Sequence, residues 1–248
     1  MKYTGIFLLL VSFMACQPDD GKLNLEPYYY PLDSLSNGRV YSYESVGNPY
    51  DPPIFWLYQN RREDGTSFLT GTSYDLDFQP DQYVVERRVK NGMKLDTFIT
   101  YEAVSEETKL EVAAQIEAGN VFPFRLKDEN EVLLTTVKWH SETSDADITF
   151  VRNRQYLADT TVVFKGDTLP AVRILLRELI DTDREGHLEL EYGGEEVYAK
   201  GIGLVYFEKN INPEWQMKYA LQEIYERPYF ERVFGVKLST RPQQPSNQ

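Results

Sequence analysis

The chain has 248 residues, 39 acidic against 26 basic, and a net charge of -13. A nucleic-acid partner needs a basic stripe to displace counterions, and no cluster of Lys or Arg supplies one, so nucleic acid is excluded as a partner. With 42% hydrophobic and 14% aromatic residues and one cysteine, the chain can bury one sizeable core but cannot staple it with an internal disulfide.

At the N-terminus, Lys2 precedes an apolar run from Ile6 to Met14, which ends at Ala15. The run is too short for a membrane-spanning helix, which needs ~20 apolar residues. It has the proportions of an export signal over residues 1–15. The lone cysteine, Cys16, follows directly, and then comes the polar stretch Gln17-Pro18-Asp19-Asp20.

Phe13-Met14-Ala15-Cys16 resembles a lipobox, the site at which bacterial lipoproteins are acylated and cleaved. Phe13 and Met14 depart from the usual Leu and small residue, as in the looser boxes of Bacteroidota lipoproteins. That resemblance implies that Cys16 is the lipid-bearing first residue of the mature protein. The short acidic stretch of Gln17, Asp19 and Asp20 is similar to the signal that places such lipoproteins on the outer face of the outer membrane. The expected address is therefore the outer membrane, lipid-anchored and displayed at the cell surface, with the periplasmic face as the alternative.

Residues 16–38 contain Pro18, Pro27, Pro31 and Gly21 and read as a tether, which as a coil spans on the order of 25 Å. Tyr28-Tyr29-Tyr30 interrupts it. From residue 39 to 240 the chain reads as one β-rich domain, with short alternating runs between turn signals. Asp64-Gly65 and Lys165-Gly166 mark hairpins. Tyr83 to Val89 and Met93 to Tyr101 pair with one apolar face if the loop is the three-residue Lys90-Asn91-Gly92 with Gly92 left-handed, Val89 opposite Met93 and Tyr83 opposite Ile99. Gly193-Gly194 reads as a two-residue hairpin loop that sets Glu191 opposite Glu196.

Two segments carry mixed signals. Ser105 to Gly119 has helix punctuation around an alternating Leu110, Val112, Ala114 and Ile116, and is assigned as helix. Residues 213–225 are assigned as strand. Residues 241–248, rich in Pro, Gln and Ser, form a disordered tail. The fold class expected is all-β, an antiparallel curved sheet or open half-barrel of about ten to twelve strands with one or two short helices. With Gly201-Ile202-Gly203-Leu204-Val205 late in the chain, the pattern is similar to envelope lipoproteins with open β-barrels, such as the half-barrel carriers of lipoprotein sorting.

No residue set commits the chain to catalysis. His140 and His187 lie in no nucleophile elbow or His-Glu-x-x-His helix. Asp181 to Gly186 begins like a calcium loop, but Tyr192 stands where the bidentate Glu belongs, so no metal or cofactor is implied. Tyr28, Tyr29, Tyr30 and Tyr50 are candidate ligand-contact aromatics, because aromatic faces stack on sugars and apolar ligands. The leading expectation is a non-enzymatic binding module for a glycan, lipid or small molecule, or for an envelope protein partner. The alternatives are an assembly component of an outer-membrane complex and a glycan hydrolase using paired carboxylates.

Replacing Cys16 by Ala is expected to abolish metabolic lipid labelling and membrane attachment. Processing and membrane retention of that variant would refute the lipobox assignment.

Overall fold

The computed structural model describes residues 23–105 and 108–239. The export signal, Cys16, Gln17, Asp19, Asp20 and the tail from 241 lie outside the described residues. Strands are numbered in chain order. β1 (Leu23–Asn24) is followed by two turns of 3-10 helix, and then β2 (Arg39–Ser45), β3 (Ile54–Glu63), β4 (Thr66–Tyr74), β5 (Pro80–Val89) and β6 (Gly92–Ala103) form a meander. After β7 (Lys109–Ala113), β8 (Gln115–Pro123) and β9 (Arg125–Leu126) comes a second meander of β10 (Val132–Ser141), β11 (Ala146–Phe164), β12 (Asp167–Asp183), β13 (His187–Ala199), β14 (Gly203–Asn212) and β15 (Trp215–Glu226). One α-helix, α1 (Arg227–Phe234), follows.

Neighbouring strands are antiparallel. β15 pairs with β2, β8 joins β10 to β6, and β5 pairs with β6, so twelve strands close into a ring. β7 adds to the outer half of β6. The all-β barrel expected from the alternating pattern is present, and its ring is closed.

The turns follow local chemistry where a turn is short. Asp64-Gly65 and Lys165-Gly166 place both residues at positive φ (48° and 78°, 52° and 89°), the backbone that matches the twist of a two-residue hairpin. They join Glu63 to Thr66 and Phe164 to Asp167.

Four local expectations are corrected. The β5–β6 loop is the two-residue Lys90-Asn91, with Val89 opposite Gly92. A bulge at Asp96 on β6, opposite the Val85–Glu86 step of β5, restores Tyr83 opposite Ile99. A β-bulge absorbs the one-residue slip that the loop was expected to carry. Gly193-Gly194 is no turn. β13 runs straight through it, with Gly193 facing Arg177 and Asn210, and Gly194 facing Leu176 and Lys209. The turn comes earlier, at Arg184 to Gly186, and Glu196 is directed inward.

Lys109–Ala113 and Gln115–Gly119 are strand, because the alternating Leu110 and Val112 meet a waiting partner in β6, while Gln115 to Gly119, with Ile116, pair with β10. Tertiary pairing outweighs a weak local helix signal. The strand expected at 213–225 is β15.

The segment from Leu23 to Gly38 is packed structure rather than tether. Leu25 and Leu35 are fully buried, and Tyr29, Tyr30 and Leu32 nearly so. Its prolines serve 3-10 turns, and its apolar side chains enter one end of the barrel. Outside the ring, α1 begins at Arg227, with Pro228 in its first turn, and stops at Gly235 in left-handed conformation (φ 68°). It buries Phe230 against Phe55 and Phe78, at ring distances of 5.5 and 5.7 Å.

A Cβ built on Gly194 would stand 2.0 Å from the carbonyl oxygen of Glu208, whereas one on Gly193 meets nothing closer than 3.6 Å. Gly194→Ala should therefore cost about 2–4 kcal/mol, and Gly193→Ala should stay within about 1 kcal/mol. Thermal denaturation of the two variants side by side checks this, and equal melting temperatures would contradict the close packing.

Candidate functional site

Twelve strands enclose more space than their inward side chains fill. The remainder is a cavity of about 620 Å³ inside the ring. One end is closed by the N-terminal segment. The other opens between the β2–β3 and β4–β5 loops, at Pro52, Pro53, Leu76 and Asp77.

The floor is aromatic. Tyr30 donates from its hydroxyl to Tyr58 Oη at 2.9 Å, and its ring lies edge-on to Tyr29 (5.4 Å) and Tyr41 (5.6 Å). Tyr29 donates to Glu86 on β5. Below the floor, the β11–β12 hairpin leaves β13 after Ala171, is bent by a bulge between Tyr156 and Ala158, and reaches β15 through the ion pair Lys165–Glu223. The closed end is thus covered twice.

The wall carries Trp56 stacked in parallel on Tyr58 (5.5 Å), Phe207 stacked on Tyr219 (5.3 Å), Phe98 and Phe150. Alternation on β11 directs Arg152 and Arg154 inward between these rings.

Charges are set by register. Arg152, Glu178 and Tyr192 lie in one row across β11, β12 and β13, and Arg154, Leu176, Gly194 and Lys209 lie in the next. Gly194 has no side chain, so Lys209 extends over β13 and brings Nζ to 2.9 Å from Glu178 Oε2. Arg152 donates from Nε to Glu178 Oε1. Arg154 holds both oxygens of Glu196 at 2.8 and 2.9 Å, and Tyr198 donates to the same carboxylate at 3.0 Å.

These neighbours decide protonation. Burial alone would push Glu178 up, but Arg152 and Lys209 outweigh it and bring the carboxyl down to about 2. Glu196 is likewise held below the usual range by Arg154 against the effect of burial. For Lys209, burial and then the like charge of Arg152 win, and its ammonium is pushed below its ordinary value although Glu178 opposes this. Burial raises Glu86, with the Tyr29 hydroxyl only partly compensating.

The candidate aromatics are divided. Tyr29 and Tyr30 form the floor, Tyr28 is half-buried outside the cavity, and Tyr50 is 92% exposed on the β2–β3 loop at the mouth. His140 and His187 sit on the outer face of the same rim, paired with Asp147 (2.9 Å) and Asp181 (3.2 Å). Asp181 and Asp183 serve His187 rather than forming a calcium loop, and among the described residues no group has metal-binding geometry. The buried ionic residues were not singled out from sequence. Their signal was two arginines at alternate positions, Arg152 and Arg154, on the same strand face as Phe150, which reads equally as an ordinary solvated strand face.

No protein-family model matches the chain, and no curated protein matches it. Among solved structures it is similar to a protein from Bacteroides fragilis described as exported and of YmcC-like fold, with a TM-score of 0.50 and 12% identity over 79% of this chain and 98% of that one. It also aligns with a protein from Parabacteroides distasonis described as a lipoprotein, at a TM-score of 0.49 and 12% identity, over 79% of this chain and 97% of that one. At this identity the Bacteroides fragilis likeness concerns the fold.

Removing one partner of a buried ionic group leaves the other charges uncompensated, at a cost on the order of 3–5 kcal/mol. Glu178→Gln should destabilise the protein by that amount at pH 7. Because the folded carboxyl titrates near 2, below its unfolded value, the advantage of Glu178 is complete above that unfolded value and fades as pH falls toward 2. Denaturant unfolding of both forms between pH 7 and 2.5 should show the gap narrowing; a constant gap would contradict the assignment.

Proposed function

We propose that this protein is a lipid-anchored envelope protein whose barrel lumen binds a small amphipathic ligand. The observation that carries the reading is the 620 Å³ cavity, open at one end, with Trp56, Phe98, Phe150 and Phe207 on its wall and polar groups gathered at its base. Small-molecule sites have this size and composition, mostly apolar with a few convergent polar groups. The envelope address is supported by the lipobox-like Phe13-Met14-Ala15-Cys16 and by the described nature of the similar Bacteroides fragilis protein as exported.

Cys16 precedes Leu23 by seven residues, a reach of at most about 25 Å. Leu23 pairs with Leu126 at the closed end, so a lipid on Cys16 holds that end toward the membrane and turns the mouth away from it. The ligand then enters from the aqueous side.

A second reading, docking of a protein partner, is favoured by the rim of the mouth. Val46, Tyr50, Leu76, Val104, Leu188 and Trp215 are all at least 46% exposed, on five different loops or strand ends there. Their neighbours Asp51, Asp77 and Glu214 suit a partner with basic and apolar side chains. The hydrolase reading finds less support. The two lumen carboxylates, Glu86 and Glu196, are shifted in opposite directions, but Glu196 is held on both oxygens by Arg154 and Glu86 receives the Tyr29 hydroxyl.

The neutral dye N-phenyl-1-naphthylamine tests the lumen. It should bind one per chain with enhanced emission, and Trp56→Ala should weaken binding at least about tenfold while Trp215→Ala on the rim leaves it unchanged. Loss of binding on the rim substitution alone would move the site to the mouth and overturn the lumen reading.

A further inference from the structure

The ionic groups of the lumen do not balance on its surface. Glu178 has no exposed side-chain surface and does not line the cavity, whereas its two partners, Arg152 and Lys209, both do, each with 24% of the side chain exposed. Two cations therefore share one carboxylate that lies behind them in the wall. The other lumen guanidinium, Arg154, is matched by its own carboxylate in a two-point pairing. Glu86, the remaining inner carboxyl, accepts the Tyr29 hydroxyl in the floor, and burial raises it against the pull of Tyr29, Arg154 and Arg152. Three cations, Arg152, Arg154 and Lys209, then face the base of the cavity against two carboxylates, Glu86 and Glu196.

The base of the cavity thus presents a surplus positive charge, enclosed by protein where water screens it little. Lys209 already holds its proton less firmly than an ordinary lysine because burial and Arg152 oppose the charge. An incoming anion relieves that opposition, and a charge-assisted hydrogen bond to it is worth roughly twice a neutral one.

Apolar surface lies beside these cations. Arg152 rests over the Phe150 ring at 5.0 Å, and Phe207 precedes Lys209 by two residues on β14, lining the same cavity. Resting on the lumen-binding reading above, we infer that the ligand carries an anionic group, a carboxylate, sulfonate or phosphate, seated between Lys209 and Arg152. Its apolar part lies against Phe150, Phe207 and Trp56. Of the acidic residues at the entrance, Asp75 and Asp81 are neutralised in part by Lys109, at 2.7 and 2.6 Å, which lowers the negative charge an anion must pass, though Asp77 adds to it.

The experiment uses two dyes of one skeleton, N-phenyl-1-naphthylamine and its anionic counterpart 1-anilinonaphthalene-8-sulfonate. They are titrated at ~0.15 M salt, where exposed surface charge is screened beyond about 8 Å. The sulfonate should bind the unmodified protein at least about tenfold more tightly than the neutral dye and should displace it. Lys209→Met, which leaves Glu178 paired with Arg152, should lower that preference about tenfold without changing affinity for the neutral dye. Lys209→Arg should keep the preference.

Equal affinities of the unmodified protein for the two dyes, or a preference unchanged in Lys209→Met, would overturn the anion site and leave the lumen reading standing. Failure of both dyes to bind the unmodified protein would overturn the two together. The comparison on the unmodified protein decides the question even where a variant fails to fold.

Discussion

Closing twelve strands into one ring creates a space that the ring cannot fill by itself, and much of the structure answers that constraint. Barrels of about eight strands are filled by their own side chains, and wider ones need something else inside. Here the N-terminal segment supplies it at one end, with Leu25, Tyr29, Tyr30 and Leu35 acting as a core that no strand provides. The long β11–β12 hairpin folds beneath it and ties down at Glu223. Among the described residues nothing comparable enters the other end, and the cavity is what is left.

The same constraint explains why charged residues are found inside. A lumen that retains space tolerates ionic groups if each has a partner, and Arg154–Glu196 and the Arg152–Glu178–Lys209 cluster satisfy that condition through cross-strand register. Gly194 is the small element on which the second cluster depends. It lets β14 approach β13 closely and leaves open the path along which Lys209 reaches Glu178. The aromatic hydroxyls do similar work in the floor. Tyr41 and Tyr43 donate to the carbonyls of Ile202 and Leu204 at 3.0 Å, joining β2 to the start of β14, its second neighbour in the ring beyond β15.

The arrangement also gives the molecule a direction. The floor and the N-terminal segment from Leu23 lie at one end; the mouth and its apolar, acidic rim lie at the other. Under the proposed lipid attachment at Cys16 the opening would face the aqueous phase, an orientation that suits capture of a dissolved ligand better than extraction from the bilayer beneath.

The sequence by itself determined what is local. Period-two alternation marked the strands, Asp64-Gly65 and Lys165-Gly166 their two-residue hairpins, and the single cysteine after a short apolar run the expected site of the lipid. Where two local signals competed, as in residues 105–119, only the unpaired edge of β6 decided between them. The prolines of residues 23–38 looked like a tether because proline disfavours regular structure, and that says nothing about whether a segment is buried. Gly193-Gly194 carried the signature of a turn, yet glycine serves close approach as well as bending, and the choice between them requires the neighbouring strand. Which carboxylates and cations meet inside the ring was set by register across four strands. Residues far apart in the chain become neighbours there only after the barrel closes, so no pattern along the chain encodes the cavity or the charges at its base.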